Sequence, residues 1–380
     1  MGQHVRHPVS DLAKSRWPMV TNDEIQRTVS PTLKKAKKMK KSLMTLAALA
    51  ASGAAMAQSS VTLYGRIDTS VGRTSTETTG AHPVAKLTQN VVNSNALNYS
   101  FWGIKGLEDL GGGLSAKFVL ESGFSADTGA GEAGIFQREA HVGLVGGFGE
   151  VALGRQYTSF HSAHVGVDML WNGNFQVDSD VFKLGVTSEL IRASNSVRYN
   201  SPNFAGFSGS ATLGFGEDNG TTTNVGSATD TASFSVKYAD GPVMVTYAHQ
   251  ENTLAQANVA VAQVTNKYDL IGGTYDFGAA KISAEYMKVK NGTNNDREYQ
   301  LGVTVPMGAF AVGIGYAKAT TSVTGSADLD ASGFGLVGTY DLSKRSTLYA
   351  GYKSTKIDKN AAAISTDKAT SMQAGVRHTF

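Results

Sequence analysis

Apolar and polar residues alternate with a period of two along most of the chain from Gln58 onward. This period places successive side chains on opposite faces of a β-strand. The pattern therefore predicts a large sheet with one apolar and one polar face. The clearest apolar series, each separated by mostly polar residues, are Val61, Leu63, Gly65, Ile67; Leu114, Ala116, Phe118, Leu120; Ile282, Ala284, Tyr286; and Leu348, Ala350, Tyr352.

The alternation fits both a soluble β-sandwich and a membrane β-barrel, because the apolar face points inward in the first and toward lipid in the second. Three further features favour the barrel: many evenly spaced strands, tyrosines near strand ends, and connections that alternate between short and long. The short connections are 147–149, 240–242 and 276–278, and the long polar ones are 74–93, 217–229 and 252–264.

Sixteen strands are predicted, an even number that brings both ends of the chain to the periplasmic side of a closed antiparallel barrel. Tilted strands of about ten residues cross the hydrocarbon, and closure satisfies every backbone polar group. The predicted strands are 60–73, 95–107, 113–124, 135–146, 149–158, 192–202, 206–216, 230–240, 243–252, 265–276, 279–290, 296–306, 308–320, 331–342, 345–357 and 369–380.

Composition excludes several other classes. No run of about 18 apolar residues exists, which argues against a transmembrane helix. Residues 1–57 contain ten of the 34 Lys/Arg and three of the 31 Asp/Glu, so the rest of the chain holds 24 basic and 28 acidic residues. The formal charge of +3 therefore gives no reason to expect a nucleic-acid partner. The absence of cysteine suits a secreted protein whose core is large.

The N-terminal region has the three parts of a secretory signal. Lys40 and Lys41 are basic, Leu43–Ala55 is apolar, and Ala55-Met56-Ala57 forms an A-x-A cleavage site. We expect residues 39–57 to be the signal peptide and 58–380 the mature barrel. Residues 1–38 are then an extension that precedes the true start at Met39, or else a genuine long leader.

One connection, 159–190, is too long for a turn, and long loops of this kind are usually functional. Its aromatic and aliphatic residues predict that it packs against the inner wall of a wide barrel. His161 and His164 have a spacing that metal ligands also use, but the loop context favours ordinary polar residues. No metal and no cofactor is expected.

Six segments, taken in order, resemble the trimeric general porins of Gram-negative bacteria, especially the β-proteobacterial type. The resemblance spans essentially all of 58–380. The segments are Val61–Asp68, Gly103–Gly111, Phe148–Tyr157, Asn195–Phe204, Tyr340–Ser346 and Gly375–Phe380.

This resemblance implies an all-β, 16-stranded antiparallel transmembrane barrel whose third extracellular loop, here 159–190, folds inward and forms a constriction. It also implies a homotrimer in the cell outer membrane that carries small hydrophilic solutes and ions by passive diffusion. The implied partners are outer-membrane lipid, lipopolysaccharide and the barrel-assembly machinery. Phe380 resembles the terminal aromatic residue that acts as the assembly signal, and its strand is expected to pair with 60–73.

In this family the constriction sets basic residues on the wall against acidic residues on the loop, which orients solutes and tunes ion preference. Arg138 and Arg192 match two basic wall positions, whereas Phe101 occupies a third position that is usually basic. Arg66 and Lys117 have inward parity and are candidates to compensate. The candidate loop acids are Asp168, Asp178 and Asp180.

The parity of Arg138 conflicts with this role, because it shares its face with Ala140, Val142 and Leu144. Either a bulge intervenes, or the strand inverts its pattern near a subunit interface.

Other functional classes have weaker support. Gly333–Gly338 fits G-x-G-x-x-G, but a dinucleotide site needs a following helix, and here more strand follows. The alternatives to a channel are an outer-membrane barrel enzyme of the lipase or protease type and a surface adhesin. No G-x-S-x-G elbow is present.

Overall fold

The computed structural model describes residues 60–79, 85–182, 189–216, 230–253, 264–292, 294–323, 325, 327–359 and 365–380. The predicted extension 1–38 and signal peptide 39–57 lie outside these residues, as do the predicted long connection 217–229 and most of 252–264. No helix of the described part is both long and apolar enough to cross a membrane.

Seventeen strands and two short helices are found in the described residues. The strands are β1 Ser60–Thr79, β2 Ala85–Ser94, β3 Phe101–Gly111, β4 Leu114–Gly123, β5 Glu139–Gly146, β6 Gly149–Tyr157, β7 Arg192–Asn200, β8 Phe207–Gly214, β9 Asp230–Asp240, β10 Val243–Thr253, β11 Thr265–Asp276, β12 Lys281–Asn291, β13 Asn294–Met307, β14 Phe310–Val323, β15 Leu329–Asp341, β16 Ser346–Lys359 and β17 Ser365–Thr379. The helices are α1 Ser159–Val165 and α2 Asp178–Val181.

The sheet is a closed antiparallel barrel with sixteen strand positions. The strands β2 and β3 share one position, because β2 pairs with the Thr69–Thr78 part of β1 and β3 with the Ser60–Arg66 part. This arrangement confirms the predicted fold class.

The seam of the barrel joins the first and last strands. β17 pairs with β1 from Arg66↔Thr379 to Thr79↔Thr366. Phe380 continues this pairing, since its N–H donates to the Gly65 carbonyl at 3.0 Å and its own carbonyl accepts from the Gly65 N–H at 3.2 Å. The predicted pairing of 369–380 with 60–73 is confirmed.

Two predicted boundaries near the first hairpin are wrong. The predicted loop 74–93 is mostly strand, and the predicted strand 95–107 begins only at Phe101. Residues 95–100 leave the sheet because the Asp68 carboxylate accepts hydrogen bonds from the backbone N–H groups of Ala96 at 3.0 Å and Asn98 at 3.2 Å. The end of β1 is polar on both faces, which hides its strand character from hydropathy.

The two faces of the barrel follow the membrane pattern. On β12, Ile282 and Tyr286 are 41% and 43% exposed on the outside, while Ser283 and Glu285 are 6% and 4% exposed on the inside. The apolar residues therefore face outward and the polar residues inward, the reverse of a soluble sandwich.

Short turns lie at one end of the barrel and the longer connections at the other. Gly241 and Gly278 have φ angles of +53° and +79° in two of the short turns, a conformation that favours glycine. The Gly278 N–H also donates to the Asp276 carboxylate at 2.7 Å, which fixes the turn. Transmembrane barrels place such short turns on the periplasmic side.

The described parts of the third long connection, residues 158–182 and 189–191, fold into the lumen and are called the inward loop here. Its α1 packs against β8–β11 and its α2 against β14–β16. The main apolar core therefore lies inside the barrel, between the loop and the wall. It joins Leu170, Phe175, Val177 and Val181 of the loop to Ala317, Ala319, Ala331, Val337 and Tyr349 of the wall.

Glycines on the inner wall make room for the inward loop. A Cβ atom at any of them would lie 2.6–2.8 Å from a loop atom, closer than real Cβ contacts allow. These residues are Gly302, Gly313, Gly315, Gly333, Gly335 and Gly351. The Gly333–Gly338 motif lies within β15, which confirms that it is strand.

Candidate functional site

The inward loop is held at its start and at its tip. At its start, the Thr158 side chain caps α1 by accepting from the His161 N–H at 3.1 Å. At its tip, the Asn174 and Phe175 N–H groups donate to the carbonyls of Asn95 at 3.0 Å and Ala96 at 3.2 Å. The segment between β2 and β3 therefore binds the tip of the loop.

A cavity of about 330 Å³ separates the inward loop from the barrel wall. Three arginines line it, namely Arg66, Arg138 and Arg192. Five acidic residues also line it, namely Glu132, Asp178, Glu189, Asp296 and Glu298. The cavity between the inward loop and the wall thus has charges of both signs.

Arg66 reaches the cavity from β1, directly opposite Phe101 on β3. Its Nε donates to the Tyr99 carbonyl at 2.7 Å, and its guanidinium carbon lies 5.0 Å from the centre of the Phe101 ring. The guanidinium of Arg138 lies 4.7 Å from the same centre. Phe101 is therefore an aromatic contact shared by two cations.

Arg138 is 5% exposed and lies in the bend just before β5, which begins at Glu139. The predicted strand 135–146 thus starts later than expected, and strand parity does not apply to Arg138. Its side chain forms an ion pair with Glu121 of β4 at 3.3 Å and donates to the Tyr157 hydroxyl at 2.9 Å.

Arg192 stands at the start of β7, opposite Tyr157 at the end of β6. Its Nη2 donates to the Tyr157 hydroxyl at 2.5 Å, and its guanidinium carbon lies 4.2 Å from the Tyr157 ring centre. The His161 ring stacks on Tyr157 with centres 5.3 Å apart. Tyr157 therefore couples Arg192, Arg138 and the first turn of the inward loop.

The acidic side of the cavity is organised around His164 of α1. Its Nε2 lies 2.9 Å from Asp178 of α2, and its Nδ1 lies 2.7 Å from Glu285 of β12. Burial opposes protonation, but the carboxylates of Glu285, Glu189 and Asp178 raise the pKa of His164 well above its usual value. A charged His164 therefore joins the loop to the wall and neutralises part of its acidic surroundings.

The remaining candidates lie away from this cavity. The Asp168 carboxylate accepts from the Leu170 and Asn172 N–H groups at 2.9 and 2.6 Å, so it shapes the loop itself, and burial raises its pKa to about 7. Asp180 pairs with Lys353 at 2.7 Å. Lys117 pairs with Glu150 at 2.8 Å near the short-turn end.

Sequence reasoning did not single out Tyr157, Glu189 or Glu298 as cavity residues. Neither Glu298 carboxylate oxygen has a hydrogen-bond partner among the described residues, and the side chain is buried. The inward parity of Glu298 on β13 was the available signal. Within the described ranges, no group of three or more His, Cys, Asp or Glu residues has the arrangement of a metal site.

Comparison with known proteins gives a consistent result. A sequence model described as Gram-negative porin matches residues 45–360. The chain is 32% identical to outer membrane porin protein 32 of Delftia acidovorans, over 87% of this chain and 97% of that protein. It is 30% identical to the major outer membrane protein P.IB of Neisseria gonorrhoeae, over 81% and 94% of the two chains.

A solved structure shares the architecture. The anion-selective porin from Comamonas acidovorans superposes with a TM-score of 0.71 at 26% identity. The match covers 85% of this chain and all of that one.

Proposed function

The chain belongs to the Gram-negative porin family, and from this we propose that its lumen is an arginine-lined passage that prefers small hydrophilic anions. The protein is a channel porin of the cell outer membrane, through which small hydrophilic solutes and ions diffuse passively. The proposal concerns which ions pass and which residues select them.

The proposal rests on how exposed the acidic and the basic side chains of the cavity are. Asp178, Asp296 and Glu298 are each 1% exposed, and Asp178 is covered by its contact with His164. Arg66 and Arg192 are only partly buried and line the cavity. Glu189 is partly buried and pairs with His161 at 2.6 Å, which leaves the exposed Glu132 as the accessible carboxylate against two accessible guanidinium groups.

The bonding partners of the three arginines also favour a preference for anions. Of the three, only Arg138 has an acidic partner within 4.0 Å among the described residues. Arg66 and Arg192 are held instead by a backbone carbonyl, a tyrosine hydroxyl and aromatic rings, none of which cancels their charge. Fixed, uncancelled charge in a narrow pore concentrates ions of the opposite sign.

The similarity to a porin that is itself described as anion-selective supports this preference. Phe101 occupies a position where the resemblance implies a basic residue. Arg66, directly opposite on the neighbouring strand, supplies a guanidinium group there.

The test is the reversal potential of the reconstituted channel across a potassium chloride gradient in a planar bilayer. We expect chloride to permeate better than potassium. The chloride-to-potassium permeability ratio should fall about fivefold in Arg66→Gln and in Arg192→Gln, because a unit charge near a permeating ion is worth on the order of 1 kcal/mol. Arg297→Gln is the matched control, since it removes the same charge from the outer face. A cation-preferring native channel, or an unchanged ratio in the Arg66→Gln/Arg192→Gln double variant, would refute the proposal.

We also propose that the channel assembles as a homotrimer and contacts outer-membrane lipid, including lipopolysaccharide. Phe380 lies on an outward apolar face with Met372 and Val376, which are 63% and 45% exposed. A terminal aromatic on such a face is accessible to the barrel-assembly machinery before the seam closes.

Family membership points to a channel rather than an enzyme, and we propose that no catalytic activity accompanies it. In the described part of the chain, the one serine–histidine hydrogen bond joins Ser346 and His378 at 2.9 Å. This pair is solvent-exposed, and no described carboxylate binds His378. Incubation of the folded protein with ester and peptide substrates should give no turnover.

A further inference from the structure

One carboxylate of the cavity between the inward loop and the wall has no bonding partner. Glu298 of β13 is 1% exposed, and neither of its oxygens has a hydrogen-bond partner among the described residues. The side chain lines the cavity. A buried carboxylate is costly unless it is paired or bound to a ligand. The acceptor oxygens of Glu298 are therefore available to a donor that enters the cavity.

The charged groups around Glu298 do not neutralise it. His164 is already held between Asp178 at 2.9 Å and Glu285 at 2.7 Å, so one positive charge serves two other carboxylates. No Lys, Arg or His of the described residues lies within hydrogen-bond distance of Glu298. The missing positive group must therefore come from a ligand.

Apolar side chains line the same part of the cavity. Met287 lies directly opposite Glu298 on β12 and is 4% exposed. Val289 and the Tyr268 ring, which face each other across β11 and β12, also line it. An organic ammonium ion uses both features, because its charge binds the carboxylate and its body packs on the apolar wall.

The other side of the cavity has the complementary feature, namely donors without acceptors. The Tyr157 hydroxyl accepts from Nη2 of Arg138 at 2.9 Å and from Nη2 of Arg192 at 2.5 Å. A hydroxyl has two acceptor sites and one proton, so both acceptor sites are filled and the proton is left to donate. No described residue accepts that proton, and the buried Nε–H of Arg192 also lacks a partner within the described ranges. Such donors beside guanidinium groups bind a carboxylate.

We propose that this cavity binds a small zwitterion, an amino acid with an apolar side chain. Its carboxylate accepts from Tyr157 and Arg192, its ammonium group donates to Glu298, and its side chain packs against Met287 and Val289. The cavity volume of about 330 Å³ lies within the range of small-ligand pockets. The inference rests on the proposed function, because it uses an arginine that draws anions into the lumen.

Both charges must belong to one molecule for this site to be filled efficiently. A separate anion and a separate cation would each lose freedom of movement on binding, whereas a zwitterion loses it once. Chloride has no donor for Glu298, and potassium has no acceptor for the Tyr157 hydroxyl. The site therefore holds an amino acid longer than it holds either ion.

The burial of Glu298 predicts which ammonium groups fit. Because the side chain is 1% exposed, the opening to it is narrow. A primary ammonium group is compact and offers three N–H donors, whereas a trimethylated one is larger and offers none. An N-trimethylated amino acid should therefore bind as weakly as an acid that lacks the positive charge.

The test uses the folded full-length porin in planar bilayers and L-leucine as the probe. Binding is measured as the concentration that halves the chloride current, and is checked by calorimetric titration in detergent. Two analogues each lack one charged group: 4-methylpentanoate lacks the ammonium group, and 3-methylbutylamine lacks the carboxylate. We expect leucine to bind about tenfold more tightly than either analogue, the effect of one hydrogen bond to a charged group.

Variants at the two ends of the site separate the two contacts. Glu298→Gln keeps the size of the side chain and removes its charge, so leucine should bind no more tightly than 4-methylpentanoate. Tyr157→Phe should weaken both ligands by the same factor, about fivefold, because both carry the carboxylate. The matched control is Glu251→Gln, which removes a carboxylate paired with Lys267 at 2.7 Å on the outer face. Its ratio of the two affinities should equal that of the native channel.

Equal affinity of the native channel for leucine and 4-methylpentanoate would overturn the proposal, and this comparison needs no variant. A preference for leucine that survives in Glu298→Gln would also overturn it, because the ammonium group would then bind elsewhere. The reversal potential in potassium chloride without leucine is recorded in parallel. A channel that prefers chloride but does not distinguish leucine from 4-methylpentanoate keeps the proposed function and loses only the amino acid site.

Discussion

The guanidinium carbon of Arg66 lies 5.0 Å from the centre of the Phe101 ring, and the two residues face each other across the β1–β3 pairing. The resemblance to the family leads us to expect a basic residue at position 101, on β3. Here the charge comes from β1, and the aromatic ring holds both this arginine and Arg138. We therefore propose that Arg66, on the neighbouring strand, supplies the positive charge expected at position 101.

Replacing Phe101 by leucine tests this role. The change removes two cation–π contacts, each worth on the order of 0.5–2 kcal/mol, so both guanidinium groups gain freedom. We expect an anion preference lowered about twofold and greater open-channel noise in single-channel recordings. Phe101→Tyr keeps the ring and should behave as the native protein; a leucine variant indistinguishable from native would contradict the assignment.

The docking of the inward loop depends on Phe175. This side chain is 1% exposed, and its ring centre lies 6.2 Å from that of Tyr349 in an edge-on arrangement. Phe175→Ala should weaken docking by about 3–5 kcal/mol, the usual cost of truncating a core phenylalanine. Liposome swelling should then admit larger sugars.

A matched control for this change is Phe277→Ala, because Phe277 is 62% exposed in a short turn. Its size limit should equal that of the native channel. If Phe175→Ala also leaves the limit unchanged, then the packing of the loop tip does not set the aperture.

The stability of the barrel should fall as the solution becomes alkaline, because His164 has a raised pKa. A raised pKa gives a contribution that is complete below the unfolded value, 6.5, and is lost as the pH rises through the folded value. Asp168 acts in the same direction between its unfolded value, 3.8, and about 7. We expect heat denaturation at a lower temperature at pH 9 than at pH 6.

His164→Gln isolates the histidine contribution. The variant should lose most of the difference between pH 6 and pH 9, whereas His378→Gln, at an exposed histidine outside the lumen, should keep it. Equal pH dependence in all three proteins would show that the contacts of His164 with Asp178 and Glu285 do not control stability.

Phe380 and Gly65 form a contact at the barrel seam, and a change at either residue tests it. A Cβ atom on Gly65 would lie 2.7 Å from the Phe380 ring and 2.5 Å from the Phe101 carbonyl. Deleting Phe380 removes two backbone hydrogen bonds, together worth about 1–3 kcal/mol, and the terminal aromatic signal.

We expect both Gly65→Val and deletion of Phe380 to lower the yield of heat-resistant protein in membranes while leaving the conductance of correctly inserted channels near the native value. A normal yield after deletion would remove Phe380 from the assembly role.

Strand parity predicted most of the barrel, because lipid on one side and water on the other impose the same rule on every strand. It failed where tertiary contacts replaced this rule. Asp68 draws residues 95–100 out of the sheet through bonds to their N–H groups. Arg138 precedes the first residue of β5 and turns toward Glu121.

The arrangement of the cavity was less accessible from sequence. The contact of His164 with Glu285 joins residues 121 positions apart, and no local pattern encodes such a distance. Trp171 and Asn172 have φ angles of +62° and +51°, so two non-glycine residues adopt the left-handed conformation that usually favours glycine, and the sequence does not mark them. The inward glycines of β14 and β15 were a usable signal, since they mark where the loop approaches the wall.

The inward loop also has a mechanical consequence for the cylinder that encloses it. A hollow tube under lateral pressure deforms most easily by becoming oval, and its resistance depends on struts that join opposite walls. The loop is such a strut, because α1 bears on β8–β11, α2 bears on β14–β16, and the tip is bonded to residues 95–96. We therefore expect the cross-section that holds the loop to resist becoming oval more than the two rims do.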